Sequence, residues 1–333
     1  MPKLNLQTIT NIKNSVGDIT GFKSSAFAWP SGTPQTPAPN DVTFGFFTDV
    51  HANSNKASYS GRYPQDAFLK LADAVSYFNT QSLDFIMMGG DYIDHVGETA
   101  ANALSDLALI DAEYANATAP RYYVLGNHDL DAISKAQFIS NTAATAAYYS
   151  FDVGTTRVIV LDANFTADSD TADYDSGNFN YVDTYIPPSQ RVWLDTQLSQ
   201  AAGNVIVFCH QRLDDGGSTT HRVLNASVVR GILETYNNVT VVFQGHSHEN
   251  AATNINGIRY YGMEAMTDGA HPDNAYSRVA VKTTGEVEIE GFGNQSSYDQ
   301  FGGDPAMGTS TGNLKLGADQ LTLQTDNLTI GTT

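Results

Sequence analysis

Asp49-Val50-His51, Gly89-Gly90-Asp91, Gly126-Asn127-His128-Asp129, His210 and Gly245-His246-Ser247-His248 are rich in the groups that hold divalent cations: carboxylate and amide oxygen, and imidazole nitrogen. Each stretch follows an apolar, strand-like run at once or after one residue: Val42 to Phe47, Leu83 to Met88, Tyr122 to Leu125, Val205 to Cys209, and Val239 to Phe243. Loops at the carboxyl ends of strands are where open α/β sheets place ligands. A single Asp at a strand end is ordinarily a cap or a solvated side chain, and a single His is ordinarily satisfied by hydrogen bonds. Here five of the eight histidines fall in these motifs, and the joint pattern points to a metal centre.

Seven ligands, Asp49, His51, Asp91, Asn127, His210, His246 and His248, are enough for two cations. If Asp91 bridges them, one site takes Asp49, His51 and His248, and the other takes Asn127, His210 and His246. Two divalent ions against two aspartates leave a net charge of about +2, which attracts an anion and acidifies a bridging water. Such a pair would present a hydroxide in line with a leaving group and neutralise charge on phosphoryl oxygens. His128 is then free to protonate the leaving oxygen, with Asp129 placed to orient or charge-support it. The expected chemistry is hydrolysis of phosphate esters.

The elements that must position these loops alternate. After the strand at 42 to 48, residues 52 to 63 read as a polar loop, and Pro64 opens a helix with Phe68, Leu71, Val75 and Phe78 at helical spacing. A strand at 83 to 88, a helix at 99 to 117 and a strand at 121 to 125 complete a β-α-β-α-β series that should be parallel. A helix at 131 to 143 follows, then a hairpin from Tyr148 to Leu161 turning at Gly154-Thr155-Thr156. Residues 163 to 187 form a long polar and aromatic insertion, which either stacks a base or covers the sheet. Helices at 190 to 198 and 223 to 236 flank the strands that end at His210 and Gln244. Antiparallel strands are expected at 258 to 262, 278 to 282 and 286 to 290.

Outside this region, residues 1 to 40 read as an extension with a Pro-rich connector, and residues from 293 as a second extension. The latter ends in three alternating units spaced by seven, Leu314-Lys315-Leu316, Leu321-Thr322-Leu323 and Leu328-Thr329-Ile330. These are either a weakly ordered tail or edge strands through which copies of the chain associate.

The 333 residues carry 36 acidic and 17 basic side chains, a formal charge of -19, which argues against nonspecific nucleic-acid or anionic-membrane binding. The single cysteine, Cys209, excludes an intrachain disulfide and reads as a buried inert thiol. No apolar run approaches membrane-spanning length, and the start, Met1-Pro2-Lys3-Leu4-Asn5-Leu6, lacks a secretory apolar core. The composition suits export or a salty environment, so the compartment stays open. His95 and His271 read as surface or loop residues, Asp162 as structural. His221 and Arg212, in the loop after His210, read as exposed loop charge or as phosphate-facing cations.

The five blocks, in this order and each after a strand, resemble the calcineurin-like metallophosphoesterase family over about residues 42 to 292. The resemblance implies an α/β fold, a four-layer αββα sandwich of two mixed sheets flanked by helices, with a dinuclear centre ligated as above. Gly90-Asp91-Tyr92-Ile93-Asp94, the Gln190 to Leu198 segment and Tyr261-Gly262-Met263-Glu264 look closest to the manganese-dependent ADP-ribose/CDP-alcohol diphosphatase branch and its bacterial phosphodiesterase and phosphatase relatives. Manganese is therefore the first expectation for the metal, with zinc, iron, nickel or magnesium as the others. Purple acid phosphatases carry a ligating Tyr where this chain has Asp94, which disfavours a purple ferric site. A small phosphate ester is the expected substrate, monoester or diester first and a nucleoside diphosphate second. A scaffold acting through the terminal repeats is the reading from another class, and it would show no turnover.

Overall fold

The computed structural model describes residues 41–176, 181–214, 219–300, 316–317 and 320–321. The N-terminal connector and most of the terminal repeats fall outside them.

Two six-stranded mixed sheets form the centre. The first contains β1 (Val42–Phe47), β2 (Phe85–Met88), β3 (Arg121–Tyr123), β10 (Ala275–Val281), β11 (Val287–Gly293) and β12 (Tyr298–Gln300), ordered β12-β11-β10-β1-β2-β3. The second contains β4 (Tyr149–Val153), β5 (Thr156–Leu161), β6 (Val205–Cys209), β7 (Val239–Gln244), β8 (Ala251–Ile255) and β9 (Ile258–Gly262), ordered β4-β5-β6-β7-β9-β8. As the alternation implies, β1, β2 and β3 pair parallel, and so do β5, β6 and β7.

Strand parity explains the layering, because successive side chains point to opposite faces of a sheet. Phe44, Phe46, Phe85 and Met87 meet Val158, Val160, Ile206, Phe208, Val241 and Phe243 in one core between the two sheets. The Phe44 ring stacks on Phe85 at 4.8 Å within its own sheet and lies edge-on to Phe208 of the other at 5.5 Å. The alternate residues face outward. Phe47, Ile86 and Met88 pack under α1 (Ala67–Phe78) and α2 (Ala100–Tyr114), while Val205, Val207 and Cys209 pack under α4 (Pro188–Ser199) and α5 (Ala226–Leu233). The result is the four-layer αββα sandwich, with Cys209 buried.

Local signals set the helix starts. Pro64 opens a 3-10 turn that runs into α1, whose Leu71, Ala74, Val75 and Phe78 form the buried stripe. Thr99 caps α2 by accepting from Asn102 N, and Ser134 forms a capping box with Gln137 at α3 (Lys135–Asn141).

Some elements depart from the pattern reading. The helix expected over 131 to 143 shortens to α3, because residues 128–130 form a 3-10 turn that belongs to the site. The strand at 258 to 262 is not antiparallel to its sequence successors. It is β9, parallel to β7 in the second sheet and antiparallel to β8, while β10 crosses to the first sheet beside β1. β8 carries too few apolar residues to announce itself, although Asn256-Gly257, both with positive φ, is a strong hairpin turn signal. β12 pairs with β11, so the first sheet continues past residue 293. Near the C-terminus, Leu316 pairs with Leu321 and Gly317 with Gln320, antiparallel. Among the described residues no helix is long and apolar enough to cross a membrane.

Candidate metal centre and active site

The loops after β1, β2, β6 and β7 converge at the carboxyl ends of four strands drawn from both sheets. Two ligand clusters result, Asp49 with His51 and His248, and Asp91 with His210 and His246. Asp49, His51, Asp91, Asn127 and His210 are essentially inaccessible to solvent.

The clusters adjoin. His248 Nε2 lies 3.3 Å from Asp49 Oδ1 and 3.2 Å from His51 Nε2. The Asp91 carboxylate stands between the two, with Oδ2 3.7 Å from His51 Nε2 and 3.0 Å from His210 Nε2. The last contact lacks the alignment of a hydrogen bond, and His210 Nε2, His246 Nε2 and both amide atoms of Asn127 are buried without a hydrogen-bond partner. Buried polar groups are almost always paired. Orphaned imidazole nitrogens and an amide oxygen beside carboxylates are a donor set that fits divalent cations.

Backbone strain points to the same residues. Asp49, His51, Asp91, His246 and His248 all have positive φ, between 48° and 69°. Among the other described non-glycine residues only Ser60 and Asn256 share that feature, and both lie in turns. Such conformations cost on the order of 1 to 3 kcal/mol each and persist where surrounding structure enforces them, commonly at functional sites. Two glycines make the close approach feasible. A Cβ at Gly126 would lie 2.1 Å from Asp91 N, and one at Gly90 would lie 2.3 Å from His210 Nδ1. Gly126 therefore lies against Asp91, and His128 N donates to Asp91 Oδ1 at 2.7 Å, so both neighbours of Asn127 touch that aspartate.

A surrounding set of acceptors orients the imidazoles. His248 Nδ1 faces Asp268 Oδ1 at 3.1 Å, and His210 Nδ1 faces Gly89 O at 2.9 Å. These contacts leave Nε2 of each ring for a metal. Burial opposes protonation of both rings, yet the neighbouring aspartates outweigh it and push His210 and His248 up to about 9. His246, buried and beside His210, is held well below the usual histidine range. Divalent cations take imidazole in its neutral form, so metal binding at these rings is opposed by protonation.

His128 and Asp129 have separate roles here. His128 Nδ1 lies 2.9 Å from Asp131 Oδ2 and 3.4 Å from Asp94 Oδ1. Against the penalty of burial, Asp91, Asp131 and Asp94 hold its pKa well above the usual range. Asp129, expected to orient or charge-support His128, turns its carboxylate to backbone donors. Its carboxylate accepts from the backbone N–H groups of Tyr92, Ile93 and Gly126, tying the Asp91 loop to the Asn127 loop. Burial, reinforced by Asp91, pushes Asp129 up to about 7.

Asp94 joins several groups. Its Oδ2 accepts from Tyr59 OH at 2.6 Å and pairs with Lys56 Nζ at 2.7 Å, and it lies 3.7 Å from His51 Nδ1. His51, Asp94 and His128 make a third group of potential ligands.

His95, read as a surface or loop residue, lies in a loop but is fully buried, with Nδ1 3.1 Å from Glu98 and Nε2 3.3 Å from Asp106. Arg212 is also buried rather than exposed, forked on Asp214 at 2.7 Å and bonded to Glu249. His221 is half-buried with its ring 5.0 Å from that of His246. His271 is exposed, as expected. Asp162 is structural, pairing with Lys135 and bonding both ends of the Gln190 amide. In the insertion, Phe165 and Tyr174 are buried and cover the structure, whereas Tyr181 is exposed 6.3 Å from His221. Asp131 and Asp268 were not legible beforehand. Asp131 lies three residues beyond His128 in the same turn, but Asp268 has no local signal.

The sequence pattern of the calcineurin-like phosphoesterase family matches residues 42–250, so the chain belongs to that family. It is a metal-dependent phosphoester hydrolase by class, and the family implies a dinuclear divalent centre. No curated protein sequence matches the chain. Solved structures share the fold at low identity. A dimetal phosphatase from Danio rerio aligns with a TM-score of 0.64 at 17% identity, covering 76% of this chain and 96% of that one. A purple acid phosphatase from yellow lupin aligns at 0.53 and 13% identity, over 79% of this chain and 54% of that one. The Plasmodium protein GAP50, described as the anchor in the inner membrane complex, aligns at 0.50 and 16% identity, over 81% of this chain and 88% of that one.

Proposed function

We propose that the chain hydrolyses phosphate monoesters and diesters, with Asp49, His51 and His248 holding one divalent cation, Asn127, His210 and His246 a second, and Asp91 shared between them. The carrying observation is the pair of adjoining clusters with orphaned imidazole nitrogens, beside a histidine whose Nδ1 faces Asp131 and Asp94. Bound divalent cations would supply Lewis acidity to the phosphoryl oxygens and lower the pKa of water at the centre. His128, on the rim with its side chain 17% exposed, is the group positioned to protonate the leaving oxygen. Asp131 and Asp94 face its Nδ1 and stabilise its charge. Asp129 holds the two loops in register.

The exposed Tyr181 beside His221 supports acceptance of an aryl or other bulky leaving group. The acidic residues of the insertion disfavour a substrate bearing a further exposed phosphate. A broad phosphomonoesterase/phosphodiesterase therefore ranks above a nucleoside diphosphatase. We expect the manganese-loaded protein to cleave an aryl monoester and an aryl diester with higher kcat/KM than ADP-ribose. A preference of a hundredfold or more for ADP-ribose would reverse the ranking, and no metal-dependent turnover of any of the three would support a scaffold instead.

A further inference from the structure

Arg62 lies outside every motif that announces the metal centre, yet it is built into its rim. Residues 59 and 62 pair across the tight turn Ser60-Gly61, both with positive φ, through Tyr59 N to Arg62 O at 3.0 Å and Arg62 N to Tyr59 O at 2.8 Å. On one side, Tyr59 reaches Asp94, the carboxylate that faces both His51 and His128. On the other, Arg62 bridges antiparallel to Asp268, whose side chain holds His248 Nδ1. The turn is thus fastened to the proton donor's support and to a metal ligand's support.

Arg62 is half-buried, with its guanidinium Cζ 5.8 Å from the Tyr59 ring centroid. No carboxylate lies within ion-pair distance of it among the described residues, although the chain carries 36 acidic side chains. By contrast Lys56, on the same loop, is committed to Asp94, and Arg212 to Asp214 and Glu249. Burial disfavours its charge, while Tyr59 and the fields of Asp49 and Asp91 favour it and raise its pKa, and its backbone bridge to Asp268 sets it beside the support of His248.

Building on the hydrolase reading above, we infer that Arg62 binds a non-bridging phosphoryl oxygen of the substrate and selects phosphomonoester dianions over diesters. A guanidinium offers a planar fork of donors that matches a phosphate edge, and charge-assisted bonds of this kind are about twice as strong as neutral ones. A monoester presents three non-bridging oxygens. A diester replaces one of them with an alkoxy or aryloxy group, which accepts poorly and carries no charge. Cations at the centre and Arg62 together can therefore engage a monoester fully and a diester only in part.

The test compares Arg62→Gln and Arg62→Lys with wild type, each loaded with manganese and checked for two bound ions. Calorimetric titration with inorganic phosphate gives binding without turnover, and steady-state kinetics use an aryl phosphate and a methyl aryl phosphate diester. Arg62→Gln should weaken phosphate binding and raise KM for the monoester about 10- to 100-fold, with diester kcat/KM reduced less than about fivefold. Arg62→Lys should recover part of the phosphate affinity. Unchanged phosphate affinity in Arg62→Gln, or equal losses on the two esters, would overturn the inference while leaving the hydrolase reading intact. Absent turnover in the wild type would instead strike the hydrolase reading, and the phosphate titration would still report on Arg62.

Discussion

Replacing Asp91 with alanine is expected to remove metal and activity together. Its carboxylate lies close to both clusters, 3.7 Å from His51 Nε2 and 3.0 Å from His210 Nε2, and its other oxygen accepts from His128 N. Without it, one site keeps Asp49, His51 and His248 while the other keeps two imidazoles and an amide, with no carboxylate to offset the second cation. Metal ions contribute several kcal/mol of transition-state stabilisation, and each 1.4 kcal/mol is tenfold in rate, so turnover should fall on the order of 10³-fold or more. Asp91→Asn, which keeps the shape and the acceptor for His128 N, should lose most of the same activity. Elemental analysis beside the assay decides the matter: Asp91→Ala retaining two ions and wild-type turnover would remove Asp91 from the centre.

The second large effect belongs to His128. His128→Ala should leave both metals bound yet slow hydrolysis by about 10²- to 10⁴-fold for esters with poor leaving groups, the usual contribution of general acid catalysis. Good leaving groups need no proton and should lose far less. The pH dependence has a definite sign. Burial alone would lower the His128 pKa, but Asp91, Asp131 and Asp94 raise it well above the ordinary value. The acid is therefore protonated across neutral pH, and wild-type kcat for a poor leaving group should decline only as pH rises through that raised pKa. The alanine variant should lack that alkaline decline. Equal losses across a leaving-group series would place His128 in binding rather than proton transfer.

The convergence of the strand-terminal candidate ligands was legible because the chemistry demands particular side chains and the α/β alternation demands particular places for them. Parity along Val42 to Phe47 and Val205 to Cys209 even contains the two-faced burial that makes four layers. What stayed hidden was non-local. Nothing near Ile258 to Gly262 tells that strand to lie parallel to β7, since the partner is fixed by which sheet the crossover returns to. Asp268 meets His248 across 20 residues of chain. The burial of Arg212, and of His95 within its loop, stayed hidden for a related reason, because charged side chains default to the surface unless their partners, here Asp106, Glu98, Asp214 and Glu249, are brought to them by folding. The strained φ at Asp49, His51, Asp91, His246 and His248 is likewise invisible in residue type, since none of them is the glycine that such angles favour.

The central claim is that two divalent cations share Asp91 at the junction of the loops. Anomalous diffraction from crystals of the manganese-loaded protein tests it most directly, with metal content and turnover measured on the same preparation. Two peaks about 3.5 Å apart, one against Asp49, His51 and His248 and one against Asn127, His210 and His246, with Asp91 between them, are the predicted result. One peak or none in protein whose turnover survives chelation would contradict it.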